Sequence, residues 1–271
     1  MKNIAIITGA SSGMGKYFAI EAAKESIEYP QYHLDELWII ARRKDRLDET
    51  AREISELNIK GLEVKILDMD ISGISGASAL NQKLISKKEI EDFNISLLIN
   101  NAGFGSYGEF ASTDIVREMQ MVDLNCTSLT GITGYALPYM GKGSRIIMTA
   151  SLASFCPLGN FAVYGASKAY VLSFAVALAA ELKKRRISVT SLCPGPVSTE
   201  FANVASRGAR KEVKHGLSPE KTVIHCLKDS RKGKLYSMWA FKWKFRARMT
   251  KLVSRRFAAW ATYKFAKRPS N

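Results

Sequence analysis

Tyr164 and Lys168 stand four residues apart in a stretch with helical patterning, so their side chains project from one face, one turn apart. A phenol loses its proton at a pKa of about 10, too high for a base at neutral pH. A nearby ammonium favours the phenolate and lowers that value. The pair therefore suits general acid–base chemistry. Near the N-terminus, Thr8-Gly9-Ala10-Ser11-Ser12-Gly13-Met14-Gly15 separates an apolar run from a helical one. A glycine turn between a strand and a helix N-terminus presents backbone N–H groups and the positive end of the helix dipole, a setting for a pyrophosphate. Either feature alone is ordinary: a Tyr–Lys pair is commonly a surface contact and a glycine turn commonly just a turn. Their combination in one chain makes them candidates.

Apolar runs at 4–8, 37–41, 62–67, 97–100, 144–149 and 188–193 read as strands. Helical patterns lie between them at 14–27, 44–57, 74–87, 114–140 (broken or bent) and 163–184. Such alternation predicts a doubly wound, parallel α/β sheet with right-handed crossovers, and a seventh, weakly marked strand near 234–238. The proline in Tyr29-Pro30-Gln31 predicts a loop before the second strand.

With 271 residues, 46% of them hydrophobic, the chain can build one sizeable core. No uninterrupted apolar run is long enough to span a bilayer, and the first apolar run ends at Gly9, too soon for a secretory signal, so a cytoplasmic location is expected. Cys126, Cys156, Cys193 and Cys226 are scattered singly, and His33, His215 and His225 lie far apart, which predicts neither disulfides nor a metal site.

Three further motifs accompany the glycine turn in order: Asn100-Asn101-Ala102-Gly103, Tyr164-Gly165-Ala166-Ser167-Lys168 and Pro194-Gly195-Pro196-Val197-Ser198-Thr199. Together with Thr8–Gly15 they resemble the TGxxxGxG, NNAG, YxxxK and PGxVxT motifs of the short-chain dehydrogenase/reductase family, over roughly residues 1–235. The resemblance implies a Rossmann-type fold and an oxidoreductase that moves a hydride between a nicotinamide cofactor and a carbonyl or alcohol. It implies that Tyr164 gives or takes the proton, that Lys168 also holds the nicotinamide ribose, and that Ser151, thirteen residues before Tyr164, stabilises the substrate oxygen. Ser154 competes for that role at a poorer offset. Asn125 matches the family's asparagine, which holds a water beside the lysine.

By the same resemblance the cofactor would meet Gly9, Ser11, Ser12, Gly13, Met14 and Gly15 at the pyrophosphate. Asp70 and Ile71 (with Asp68 an alternative to Asp70), Asn101, Ala102 and Gly103 would lie on the adenosine side, and Pro194, Gly195, Val197 and Thr199 by the nicotinamide. The second strand ends in Ala41-Arg42-Arg43, with no carboxylate to accept hydrogen bonds from an adenine-ribose 2′-hydroxyl. Arginine matches a phosphate there, so NADP(H) is expected, with Arg42 on the 2′-phosphate and Arg43 stacking or assisting.

Phe104, Phe155, Pro157, Leu158, Phe161 and Phe201 lie near these motifs, and residues 201–217 are expected to form a lid. Beside Ser151 and Tyr164 they suggest a bulky lipophilic ketone or alcohol, of hydroxysteroid or 3-oxoacyl type by analogy. A homodimer or homotetramer through the helices of 114–140 and 163–184 is implied by resemblance. The rival reading is a non-catalytic NADP(H)-binding regulator, against which the complete Asn125–Ser151–Tyr164–Lys168 set speaks.

Residues 236–271 form a separate expectation. No acidic residue follows Asp229, and residues 230–271 hold thirteen of the 40 Lys and Arg; the rest of the chain is nearly neutral. On a helix, Met249, Leu252, Val253, Phe257, Trp260 and Tyr263 fall on one side and Arg248, Lys251 and Arg255 on the other, with Arg256 near the edge. The preceding 239–246 alternates aromatic and basic residues and reads as extended. Such a basic aromatic tail suits an anionic membrane surface. The alternative is packing on the enzyme body or a partner subunit; nucleic acid is not expected.

Overall fold

The computed structural model describes all residues except Glu212, Lys214, His215, Lys267 and Asn271, together with the side chain of Lys251. His215, weighed above as a metal ligand, and part of the expected lid therefore lie outside the described residues. Seven strands form one parallel sheet in the order β3-β2-β1-β4-β5-β6-β7. They are β1 (Lys2–Thr8), β2 (Glu36–Ala41), β3 (Glu63–Asp68), β4 (Phe93–Asn100), β5 (Arg145–Thr149), β6 (Ser188–Leu192) and β7 (Tyr236–Ser237). The doubly wound expectation, including the short seventh strand, is met. β4 starts four residues before the expected run because Asn94 and Ser96 break its apolar pattern, yet its backbone continues along β1 through a bulge between Ile4 and Ala5.

Side chains alternate across the strands, and both faces are covered. Ile4, Ile6 and Leu98 pack against α3 (Gly73–Ile90), α5 (Leu129–Ala136) and α6 (Ala162–Glu181). Ala5, Ile7, Leu97 and Ile99 pack against α1 (Gly13–Glu28), α2 (Lys44–Ser55) and α8 (Pro219–Arg231). Of these, α8 has no counterpart in the expected elements. Its start is nonetheless written in the sequence: the Ser218 hydroxyl accepts from the Lys221 N–H, and Pro219 occupies the first turn.

The expected bent helix over 114–140 is resolved into α4 (Ile115–Val122), a π-helical turn Asp123–Ser128, α5 and a 3-10 turn Leu137–Tyr139. Asp114 starts it by accepting from the N–H groups of Val116 and Arg117. Past β6, the segment expected to be a lid begins with a short helix α7 (Phe201–Ala205), and Leu217 returns to bridge Val197.

The tail departs from expectation in two ways. The stretch read as extended is helix α9 (Phe241–Met249), and the single amphipathic helix is interrupted. Val253 adopts an extended conformation, Ser254 then caps α10 (Arg255–Phe265), and the apolar stripe is split between two helices.

Candidate active site

Every motif residue lies at the C-terminal edge of the sheet, where strand ends open onto a crevice in doubly wound folds. The glycine turn follows β1. Gly13 takes φ +53°, a left-handed conformation, and a Cβ there would lie 3.2 Å from the Thr199 methyl. At Gly15 a Cβ would lie 1.9 Å from the Gly9 carbonyl oxygen, so only glycine lets α1 pack so near the strand. Thr8 Oγ1 accepts from the N–H groups of Asn101 and Ala102, and Asn101 Nδ2 donates to the Thr8 carbonyl. These bonds lock the β1 and β4 ends together.

The turn fits a dinucleotide. α1 begins without a side-chain cap and without an acidic residue in its first turn, which leaves its N–H groups for an anion. Arg43 Nη2 reaches the hydroxyls of Ser12 (2.8 Å) and Ser11 (3.4 Å) and also meets Glu200 at 3.1 Å. Arg42 instead points to Asp70, at 4.0 Å. Asp70 Oδ1 accepts from the N–H and hydroxyl of Ser72, and Ile71 is buried. Arg43 thus reaches the glycine turn, while Arg42, expected on a 2′-phosphate, lies beside Asp70 at the end of β2 and β3.

Tyr164 and Lys168 share the inward face of α6 with Ser167, all buried. Lys168 Nζ donates to the Thr149 carbonyl at 2.7 Å and lies 5.9 Å from the Tyr164 ring centre. Burial depresses its ammonium to about 8. The Tyr164 phenol is pushed up, chiefly by burial; a hydrogen bond with Ser151 pulls the other way without prevailing. The lowering expected from Lys168 is not seen: its ammonium is turned to the Thr149 carbonyl, while the phenol lies beneath an aromatic ring.

Ser151 Oγ also accepts from the Ala153 N–H at the end of β5. Ser154 Oγ donates to the Lys168 carbonyl, whereas the hydroxyl that bonds the Tyr164 phenol is that of Ser151. Asn125 sits on the π-helical turn, a feature found at functional sites. Its amide bonds the Phe104 backbone in both directions and donates to Ser167 Oγ. A Cβ on Gly103 would lie 2.7 Å from Asn125 Oδ1 and 3.4 Å from Lys168 Nζ, so these three positions converge.

Phe161, Tyr164, Met121 and Ala153 form an aromatic-lined cluster with Phe104, Tyr107, Leu158 and Phe201 around it. Phe161 stacks on Tyr164 with centroids 4.1 Å apart, and Phe201 flanks it at 5.4 Å. Phe155 lies elsewhere, against the main core. Gly195 is in contact with the tail: a Cβ would lie 2.3 Å from the Trp243 ring, whose Nε1 is buried without a partner. Sequence reading missed this contact, and also Tyr107, whose ring meets Phe161 edge-on at 4.7 Å; no motif marks either residue. Pro194 presents its carbonyl to the Leu152 N–H, and Val197 is buried. Among the described residues no group of three or more His, Cys, Asp or Glu is placed to hold a metal.

The short chain dehydrogenase family model matches residues 3–209. The chain belongs to the short-chain dehydrogenase family. Its seven-stranded parallel sheet is that of the family, and the protein is an oxidoreductase acting between alcohol and carbonyl. It is 27% identical over 215 residues to an uncharacterized oxidoreductase of Staphylococcus epidermidis, covering 78% of this chain and 85% of that one. It is 32% identical over 200 residues to the 11-beta-hydroxysteroid dehydrogenase-like 2 of Arabidopsis thaliana, covering 73% of this chain and 60% of that longer protein. A short-chain dehydrogenase of Sphingobium yanoikuyae, solved in complex with NADPH, is 26% identical, with a TM-score of 0.75 over 93% of this chain and 97% of that one.

Proposed function

We propose that this short-chain dehydrogenase interconverts a ketone and a secondary alcohol on a lipophilic substrate, of hydroxysteroid or 3-oxoacyl type, with NADP(H). The observation that carries the reading is the enclosure of Tyr164 by Phe161 and Phe201 with Ser151 and Lys168 beside it. The cofactor, when bound, supplies or accepts the hydride at the reacting carbon. Gly9, Ser11, Ser12, Gly13, Met14 and Gly15 would take its pyrophosphate, with Asp70, Ile71, Asn101, Ala102 and Gly103 on the adenosine side. Pro194, Gly195, Val197 and Thr199 would border the nicotinamide, and Lys168 its ribose.

Tyr164 donates its proton to the carbonyl oxygen, Ser151 holds that oxygen, and Lys168 with Asn125 sets the electrostatics around the phenol. Phe104, Leu158, Phe161 and Phe201 exclude water and receive the apolar body. The similarity to the Arabidopsis hydroxysteroid dehydrogenase-like protein supports the substrate class. So does 30% identity over 207 residues to the very-long-chain 3-oxoacyl-CoA reductase of Anas platyrhynchos, 62% of whose length is covered.

The NADP(H) preference rests on Arg43 over the serine hydroxyls and the absence of a carboxylate in Ala41-Arg42-Arg43. A panel of ketosteroids and 3-oxoacyl thioesters, followed by NADPH absorbance, tests the function. Higher kcat/KM with NADPH than NADH is expected, and a smaller gap in Arg43→Ala; equal or better use of NADH by the wild type overturns the preference.

Two associations belong to the same reading. α4 exposes Ile115, Val116, Met119 and Val122, a surface suited to a second copy in a homodimer or homotetramer. Met119→Asp is expected to lower the mass measured by light scattering. The tail exposes Phe241, Phe245, Leu252, Phe257, Trp260 and Phe265 among cations. Anionic lipid attracts each surface cation by about 1 kcal/mol, so the tail suits a peripheral membrane position.

A further inference from the structure

Arg43 is engaged by a carboxylate that arrives from the far side of the crevice. Its Nη2 donates to Ser12 Oγ at 2.8 Å, to Ser11 Oγ at 3.4 Å and to Glu200 Oε2 at 3.1 Å. One nitrogen with two hydrogens thus serves three oxygens. Glu200 stands 157 residues further along the chain, directly after Thr199 and before α7. Thr199 itself lies against the glycine turn, where a Cβ on Gly13 would meet its methyl at 3.2 Å. Residues 199 and 200 therefore lean across the turn from the β6 side.

This is a costly place for negative charge if phosphates are to bind. The first turn of α1 holds no acidic residue, and its N–H groups with the Arg43 guanidinium make a surface for anions. Other carboxylates in the neighbourhood are engaged elsewhere: Glu49 and Glu53 pair with Lys16, and Asp70 accepts from Ser72. Among the described residues Arg43 has one ion-pair partner, Glu200. The Glu200 side chain caps none of the N–H groups of α7, the helix it precedes, and goes to Arg43 instead. Both side chains are about half exposed, so the pair adds little to the fold. Its consequence is for what else Arg43 can hold.

We infer that Glu200 is a specificity-determining residue: it competes with the adenine-ribose 2′-phosphate for Arg43 and so lowers the affinity for NADPH relative to NADH. This rests on the NADP(H) preference given under Proposed function and adds an internal competitor that limits it. The sign is the same in either geometry. If the phosphate displaces Glu200, the ion pair is given up. If the guanidinium holds both, two anions stand side by side and repel. NADH brings a neutral 2′-hydroxyl and meets neither cost. The pyrophosphate is common to both cofactors, so whatever Glu200 does to it cancels in the ratio of the two affinities.

Calorimetry on the full chain at low salt, where exposed charges are least screened, measures that ratio without turnover. NADPH is compared with NADH. Adenosine 2′,5′-bisphosphate is compared with adenosine 5′-monophosphate, a pair that carries or lacks the same phosphate without the nicotinamide. In Glu200→Gln the ratio of NADPH to NADH affinity should rise at least about threefold, within the reach of an exposed ion pair. The two adenosine nucleotides should show the same rise. Adding Glu200→Gln to Arg43→Ala should change the ratio by less than about 1.5-fold, because the carboxylate then has no guanidinium to contest.

An unchanged ratio in Glu200→Gln overturns the competition. So does an equal gain for both cofactors, which assigns Glu200 to the pyrophosphate. A threefold rise that persists in the Arg43→Ala background overturns it as well, since Glu200 would then act without Arg43. Each of these results leaves the NADP(H) preference standing. Wild-type protein that binds the bisphosphate no tighter than the monophosphate overturns the preference itself, and the competition with it.

Discussion

A phenol under an aromatic ring holds its proton more tightly than one in water, because the phenolate loses its hydration there. Tyr164 is in that position, and the Ser151 hydrogen bond offsets only part of the effect. It is therefore protonated at neutral pH, the form that the proposed carbonyl reduction needs. Lys168 titrates at about 8, depressed by burial: it is an ammonium below that pH and neutral above it. The rate constant kcat/KM for reduction is accordingly expected to hold level from pH 6 to about 7.5 and to fall through pH 8, as the positive charge beside Tyr164 is lost. A pH profile with saturating cofactor measures this; a profile level to pH 10 would detach Lys168 from the proton transfer. Tyr164→Phe removes the donor and no bond to the glycine turn. Turnover should drop by at least about a hundredfold, in the range of acid–base groups, while fluorescence titration gives an NADPH affinity within about twofold of wild type.

The elements that hold these side chains differ in how far the sequence announces them. Parallel strands buried on both faces are continuous apolar runs, and the motifs sit at their ends, so sheet, glycine turn and Tyr164–Lys168 helix were all legible. The missed helix α8 presents Val223, Cys226 and Leu227 inward, a stripe short enough to hide among polar residues. The alternation of 239–246 misled for a geometric reason: residues alike at every second position are also alike at every fourth, so the pattern serves a helix as well as a strand. α9 uses that equivalence, turning Trp243 and Ala247 to the body and stacking Phe241 with Phe245 outside. The grip of Tyr263 and Arg268 on Gly159 was not legible, since it joins segments more than 100 residues apart without a motif. Gly15, by contrast, is determined by its own turn. In Gly15→Ala the new methyl meets the Gly9 carbonyl rather than a side chain that could move aside. The strain should cost about 1–3 kcal/mol of stability and, because the turn must open, at least about tenfold in NADPH affinity; chemical denaturation and the same fluorescence titration measure the two.

At the scale of the molecule, the two edges of the sheet divide the work. The C-terminal edge carries the glycine turn, Ser151 and the crevice, and its pairs Arg42–Asp70 and Arg43–Glu200 are exposed. The N-terminal edge carries the ionic networks. Arg145, at the start of β5, makes two hydrogen bonds to Glu25, which also pairs with Arg231 of α8. Glu36, at the start of β2, is fully buried and meets Lys2 of β1, Lys65 of β3 and Lys87 of α3 at 2.8–3.3 Å, while Trp38 Nε1 donates to its other oxygen. One carboxylate thus joins three adjacent strands and a covering helix. Burial alone would raise its pKa, but the hydrogen bonds from Lys87, Trp38 and Lys2 outweigh it and hold the group at about 2. A carboxyl held below its unfolded value stabilises the fold fully above pH 4.5, and this contribution is lost as pH falls toward 2. The size of the shift corresponds to about 3 kcal/mol. Glu36→Gln keeps the shape and leaves three ammonium groups without their anion. It should be less stable than wild type by about 2–3 kcal/mol at pH 7, and the difference should shrink steadily between pH 4.5 and 2.5. Urea denaturation of both proteins at pH 7, 4 and 2.5 measures it. A gap of the same size at all three pH values would mean that the substitution acts through packing and that the charge network holds the edge no tighter than a neutral amide does.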